Sequence, residues 1–153
     1  MATKMTIPSR VLPAREPMLE VMMTLARCSK QQRIIIAGAK SAELMAELHR
    51  RGYHRAASTA SCGLPHGQYD AALIDWRQRS TKALGATLDW LVDFLTPTGV
   101  LVVWIDPQDA AGNRTVRTAL ESHGLTVEAG SIHVHGSAIS ARRCEIYPFS
   151  KVA

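Results

Sequence analysis

Asp75 ends the apolar run Ala71-Ala72-Leu73-Ile74 and is followed at once by Trp76. A carboxylate beside a large ring is suited to general-base work, to holding a substrate, or to carrying a charge at a helix start. It is equally suited to a structural task, as a cap or as the partner of Arg77 or Arg79. Lys40 and Ser41 follow Gly38-Ala39, so a cation and a hydroxyl stand beside a turn, where they can meet a phosphate or carboxylate at a helix start. The stretch is no P-loop, because the second glycine of that motif is missing. Cys62 and His66 lie four apart in a segment broken by Gly63, Pro65 and Gly67. A thiolate–imidazole pair is chemically open to them, without a third group to orient it. His133 and His135 alternate, so on a strand they share one face, with His123 and Cys144 as the residues to join them around a metal. Two ligands alone do not make a metal site, and a half-exposed strand face accounts for both histidines.

The elements that hold these residues follow from hydrophobic spacing. Residues 1–13, with Pro8 and Pro13 and no sustained period, read as an extended basic arm, and residues 14–153 as a single domain. Pro17 fits the first turn of a helix that carries Met18, Met22, Leu25 and Ala26 along one stripe. Core packing explains these methionines better than partner docking does. Ile34 to Ala37 is apolar on both faces, the mark of a strand in the centre of a parallel sheet. Ser41 is the expected cap of the next helix, with Leu44, Met45 and Leu48 on its apolar face. Arg50 and Arg51 suit the last turn of that helix, and Gly52 its stop.

Residues 55–60 read as a second, weak strand, 61–68 as a loop and 69–75 as a buried strand. Ser80 can cap a helix bearing Leu84, Leu88, Leu91, Val92 and Leu95, ended by Pro97 and Gly99. Residues 100–105 are the clearest strand, and Asp109 or Asn113 can cap a helix bearing Val116, Ala119 and Leu120, closed by Gly124. Residues 125–135 and 138–146 read as two strands about a turn at Gly136-Ser137, with Arg142 and Arg143 reaching out to solvent. Strands alternating with helices imply an α/β fold, a doubly wound, mostly parallel sheet with helices on both faces and a C-terminal antiparallel hairpin.

In such a sheet ligands bind outside the carboxyl ends of the strands, near the switch in strand order. That rule gathers Gly38, Ala39 and Lys40 after the first strand and Thr59 to Ser61 after the second. It adds Asp75 and Trp76 after the third strand and Asp106 and Pro107 after the fourth.

The charge is unevenly placed. Residues 1–33 hold six basic groups and two acids, while the other 120 residues hold twelve basic groups and eleven acids. A nucleic-acid groove normally needs a basic face built into the fold, so a basic arm alone is weak support for one. Three cysteines, Cys28, Cys62 and Cys144, are too few for a disulfide framework and fit a reducing compartment, which points to the cytoplasm. The N-terminal stretch lacks the continuous apolar run of a secretory signal, its two arginines Arg10 and Arg15 only echo a transit peptide, and no apolar run is long enough to span a membrane.

The series RIIIAGAKSAEL, YDAALIDW, FLTPTGVLVVWIDP, LESHGLTVEAG and AISARRCEI resembles the Rossmann-like class I methyltransferases that use S-adenosylmethionine. The resemblance runs from about residue 15 to residue 147. It implies S-adenosylmethionine as the cofactor; the residues placed to surround it are the strand-end ones, Ala37, Gly38, Ala39, Lys40, Thr59, Ser61, Asp75 and Trp76, with Asp75 as the catalytic candidate. Two departures stand against a working site. The family's glycine-rich loop carries an acid and several glycines, whereas Ala37 to Ser41 has one glycine and no acid. The family also ends its second strand with an acid for the ribose hydroxyls, whereas residues 56–61 hold none; Ser58, Thr59 or Ser61 would be a weaker acceptor. The chain is short as well, with about nine residues where the family has helix, strand and helix.

The expectation is therefore a methyltransferase-like domain that has left catalysis behind and serves as a small-molecule-binding or protein-interaction module. The rival is a small methyltransferase with an atypical cofactor loop. A nucleic-acid-associated protein using the basic arm comes third. A homodimer is open, since the Met- and Leu-bearing helices permit one without identifying its face.

Overall fold

The computed structural model describes residues 15–59 and 67–143. Helix α1 spans Arg15–Ala26, strand β1 Ile34–Gly38, α2 Ser41–Arg50, β2 Ala56–Ser58 and β3 Tyr69–Asp75. Then come α3, Leu84–Leu91, with a short 3-10 turn on each side, β4 Leu95–Ile105, α4 Ala110–Ser122, β5 Leu125–His133 and β6 Gly136–Arg143. The strands form one sheet in the order β2-β1-β3-β4-β6-β5. The first four run parallel, and the closing hairpin is antiparallel. The chain leaves β1 for β2 on one side and returns to β3 on the other, so the strand order switches between β1 and β3. The basic arm and the Cys62–His66 loop lie outside the described residues.

Alternation along the central strands explains the continuous apolar runs. Ile34 and Ile36 pack with Met18, Leu19, Met22, Leu44 and Leu48 on one face. Ile35 and Ala37 pack with Leu84, Leu88, Val116 and Leu120 on the other. Successive side chains point to opposite faces, so a strand covered on both sides must be apolar at every position. The methionine stripe of α1 is core: Met18 and Met22 have almost no exposed surface.

Several local expectations are corrected. Ser41 is the first helical residue of α2, and Lys40 holds the cap position without a side-chain bond. The turn out of β1 takes only Ala39 and Lys40, because the Ala39 N–H is tied to the Asp75 carbonyl at 2.9 Å. Leu95 belongs to β4, so Pro97 and Gly99 sit inside a strand rather than past a helix. The pairing with β3 slips between Tyr69 and Ala71, and that irregularity leaves room for a residue without an N–H.

The hairpin turns at Val134-His135, with Gly136 opposite His133 and Ser137 opposite Ile132. Gly136 is needed inside the strand, since a Cβ there would collide with the Ile105 carbonyl and the Trp104 ring. Arg143 and Arg142 do not simply reach solvent. Arg143 donates to the Val92 and Leu95 carbonyls at 3.1 and 2.7 Å, groups left open where the α3 segment ends. Arg142 pairs with Glu128 and donates to the Thr98 carbonyl. Of the two candidate caps for α4, Asp109 serves, accepting the Gly112 N–H at 2.8 Å.

Candidate functional site

The carboxyl ends of β1, β2 and β3 meet at the switch in strand order. Gly38 stands opposite Asp75 in the parallel ladder. Its φ of +105° lies in the left-handed region, and a Cβ there would drive into the Asp75 backbone. Glycine is therefore required by the approach of one strand end to another. Beside it, the Thr59 N–H donates to the Ile36 carbonyl at 3.0 Å and extends the contact of β2 with β1. Ala37, Gly38, Ala39, Lys40, Thr59, Asp75 and Trp76 are thus gathered at one end of the sheet; Ser61 lies outside the described residues.

These residues differ in what they offer. Ala39 and Lys40 are exposed, whereas Ala37 and Trp76 are buried in the layer facing α3 and α4. The Trp76 indole donates to the Ser80 carbonyl at 2.8 Å, and the Arg79 guanidinium lies 5.1 Å from the ring centroid. The ring is a wall of the core with a cation over it.

The Asp75 carboxylate has no exposed surface. Arg77 grips it with two side-chain bonds, Nε to Oδ1 at 2.8 Å and Nη2 to Oδ2 at 2.6 Å. The Arg77 backbone N–H adds a third, at 3.2 Å to Oδ1. This fork-on-carboxylate geometry is the strong form of an ion pair. The hydrogen bond to Asp75 outweighs partial burial and holds the Arg77 guanidinium above its ordinary pKa, with Asp106 and Glu43 adding attraction. The next residue, Gln78, has φ +62° and donates its N–H to Asp106 Oδ2 at 2.6 Å. Residues 76–79 therefore fold back over the ends of β3 and β4 and bind both of their carboxylates. Chemically, Asp75 is an acceptor already supplied with donors.

The sequence signal for this arrangement was an arginine two residues after a strand-end aspartate. The role of Gln78 had no signal, because a left-handed glutamine is set by the loop it closes.

The other candidates are scattered. His133 stacks on Trp104 with centroids 5.6 Å apart, and His135 is exposed beside it. His123 is turned elsewhere, its two ring nitrogens facing two acceptors, the Ala119 carbonyl and the Asp89 carboxylate, each at 2.7 Å. No group of three metal-ligating side chains occurs among the described residues. Cys144 lies outside them, as do Cys62 and His66. The Cys28 thiol is pushed up to about 11, by burial first and by the Asp70 charge second, so it stays protonated and unreactive at neutral pH. No helix among the described residues is long and apolar enough to cross a membrane.

No family model matches the sequence, and no curated protein matches it. Solved structures do match. The chain superposes on the (4+2)-cyclase SpnF with a TM-score of 0.61 at 13% identity, covering 86% of this chain and 81% of that one. It superposes on a SAM-dependent methyltransferase from Aquifex aeolicus with a TM-score of 0.58 at 12% identity, covering 89% and 93%. The fold is that of the class I methyltransferases. A third match is the Burkholderia thailandensis 1,6-didemethyltoxoflavin N1-methyltransferase, solved with its substrate and S-adenosylhomocysteine. Its TM-score is 0.56 at 12% identity, covering 84% of this chain and 77% of that one. Likeness at this level speaks of fold alone, and the class I methyltransferase fold hosts more than one chemistry, as a cyclase among the matches illustrates. In this chain β2 is the outermost strand on its side, with no further strand beyond it among the described residues.

Proposed function

We propose that this chain is a methyltransferase-like domain that no longer transfers methyl groups and works as a small-molecule-binding module. The observation that carries the reading is the Asp75–Arg77 pair at the switch point, in which the site's best-placed carboxylate is buried and doubly bound by its own loop. S-adenosylmethionine carries a sulfonium, an ammonium and two ribose hydroxyls, so its crevice must offer free acceptors. The residues here fit it poorly. Asp75 and Asp106 already accept from Arg77 and Gln78, and no acid occurs in the sequence between Glu47 and Asp70 to take the ribose. Exposed Lys40, at the turn out of β1, suits the cofactor's carboxylate but neither of its cations. The rival, a working methyltransferase, draws on the fold and on nothing at the strand ends.

Calorimetric titration of the purified chain with S-adenosylmethionine and with S-adenosylhomocysteine tests this. The expected result is no saturable heat at millimolar ligand. Saturable binding of either, or a nucleoside carried through purification, would restore the methyltransferase reading.

A further inference from the structure

A groove of about 550 Å³ runs between α4 and the β5–β6 hairpin. That volume is in the usual range for small-molecule pockets. Ile139 of β6 supplies apolar surface, and Ile132 of β5 stands at the side with 84% of its surface exposed. The opposite wall is α4 from Ala110 to Arg117, which presents Arg114 and Arg117. Residues three apart on a helix are surface neighbours, so the two guanidinium groups can converge on one anion. Neither arginine has an ion-pair or hydrogen-bond partner among the described residues.

A second, independent observation comes from the other wall. Ser137 is only 8% exposed and lines the groove, and its hydroxyl has no partner among the described residues. A buried hydroxyl without a hydrogen bond is unfavourable, so such a group marks the place where a bound molecule supplies the missing partner. The groove is concave, apolar on one side and doubly cationic on the other. A polynucleotide needs an extended basic face, which two arginines do not make.

We propose that this groove binds a small anionic molecule, a carboxylate or phosphate carried on an apolar body. Arg114 and Arg117 take the anion, Ile132 and Ile139 cover the body, and the Ser137 hydroxyl bonds to a polar atom of the ligand. The site lies on the hairpin side of β4, away from the β1–β3 switch point, and it stands whether or not the crevice takes S-adenosylmethionine.

The test is an amide-shift titration of the isotope-labelled full chain with naphthyl phosphate, naphthoate and naphthol. Both anions are expected to saturate shifts confined to α4, β5 and β6, with naphthol roughly tenfold weaker or more. Preference for one anion assigns the head group as phosphate or carboxylate and supports the site. The double substitution Arg114→Gln with Arg117→Gln should weaken both anions roughly tenfold or more, Ser137→Ala less, and Lys40→Gln at the crevice not at all. The proposal falls if neither anion saturates, if naphthol binds as well as they do in the unaltered chain, or if the double substitution leaves affinity unchanged. Loss of binding in Lys40→Gln would move the site to the crevice and overturn it as well.

Discussion

Two regions at the same end of the sheet contrast sharply. At the β1–β3 crevice the two strand-end carboxylates are already taken: Arg77 grips Asp75, and the Gln78 N–H holds Asp106. At the groove between α4 and the hairpin, Arg114, Arg117 and the buried Ser137 hydroxyl have no partners among the described residues. The topology favours the first region as a ligand site, because open α/β sheets bind ligands at the switch point. The chemistry favours the second, because a polar group with its bonds already made has little left to offer a ligand. Position in the fold nominates a site; the state of its donors and acceptors decides between candidates.

The contrast is most forcefully tested at the crevice itself. Gly38→Ala should destabilise the chain by about 3 kcal/mol or more, since it combines a left-handed φ with a collision against the backbone of the next strand. Urea denaturation measures it. A cost below about 1 kcal/mol would mean that β1 and β3 can part at this end, and that the crevice can open for a ligand. Asp75→Ala comes next. It strands a partly buried guanidinium, and a cost of about 2–3 kcal/mol is expected, somewhat under the usual figure for a broken buried pair because Arg77 keeps some solvent. Removing both partners in Asp75→Ala/Arg77→Ala should recover part of the loss. Should Asp75→Ala unfold at the same urea concentration as the parent, the aspartate is not a structural partner and becomes available for chemistry.

How much of this was legible beforehand divides along the same line. The central strands announced themselves, because Ile34 to Ala37 and Val100 to Ile105 are apolar at every position and only a doubly covered strand needs that. Asp75 was legible as a strand-end acid for the same reason, since the run before it fixes where the strand stops. The features that failed were those decided by a neighbour far away in sequence. Gly136 looked like a turn glycine, yet it is fixed by Trp104 and Ile105 on the adjacent strand. Arg143 looked like a solvent-seeking edge residue, yet carbonyls about fifty positions earlier bind it. The groove had no linear signal at all, because Arg114, Ser137 and Ile139 come together only when α4 lies across the hairpin.

Arginines offer a finer comparison between bound and spare groups. Arg143→Met should cost about 1 kcal/mol, because it leaves the Val92 and Leu95 carbonyls with one donor fewer while keeping most of the apolar stem. Arg114→Gln with Arg117→Gln should change stability by less than about 0.5 kcal/mol, since no interaction within the described fold depends on either side chain. Thermal melts of the two variants side by side settle the point. A double variant that melts well below the Arg143→Met protein would mean that the groove arginines are structural after all.

The smallest effect concerns the helix that walls the groove. His123 at the end of α4 bonds to Asp89 on α3, and it links the two helices of one layer. Burial of the ring works against its charge, but the bonds to the Ala119 carbonyl and to Asp89 prevail and raise its pKa above the ordinary 6.5. A group whose folded pKa is raised binds its proton more tightly in the folded state. Its contribution is therefore complete below the unfolded value and disappears as pH climbs through the folded one. Asp89→Asn removes the charge partner, and the difference in melting temperature between parent and variant should be larger near pH ~6 than near pH ~9, by about a degree for so exposed a pair. Comparing parent with variant at each pH cancels the other histidines. The same two pH values should leave naphthyl phosphate binding to the groove unchanged apart from the ligand's own titration, because the groove arginines keep their charge throughout this range. If binding instead followed the His123 titration, the end of α4 and the groove would be coupled, and the groove's charge could no longer be assigned to Arg114 and Arg117 alone.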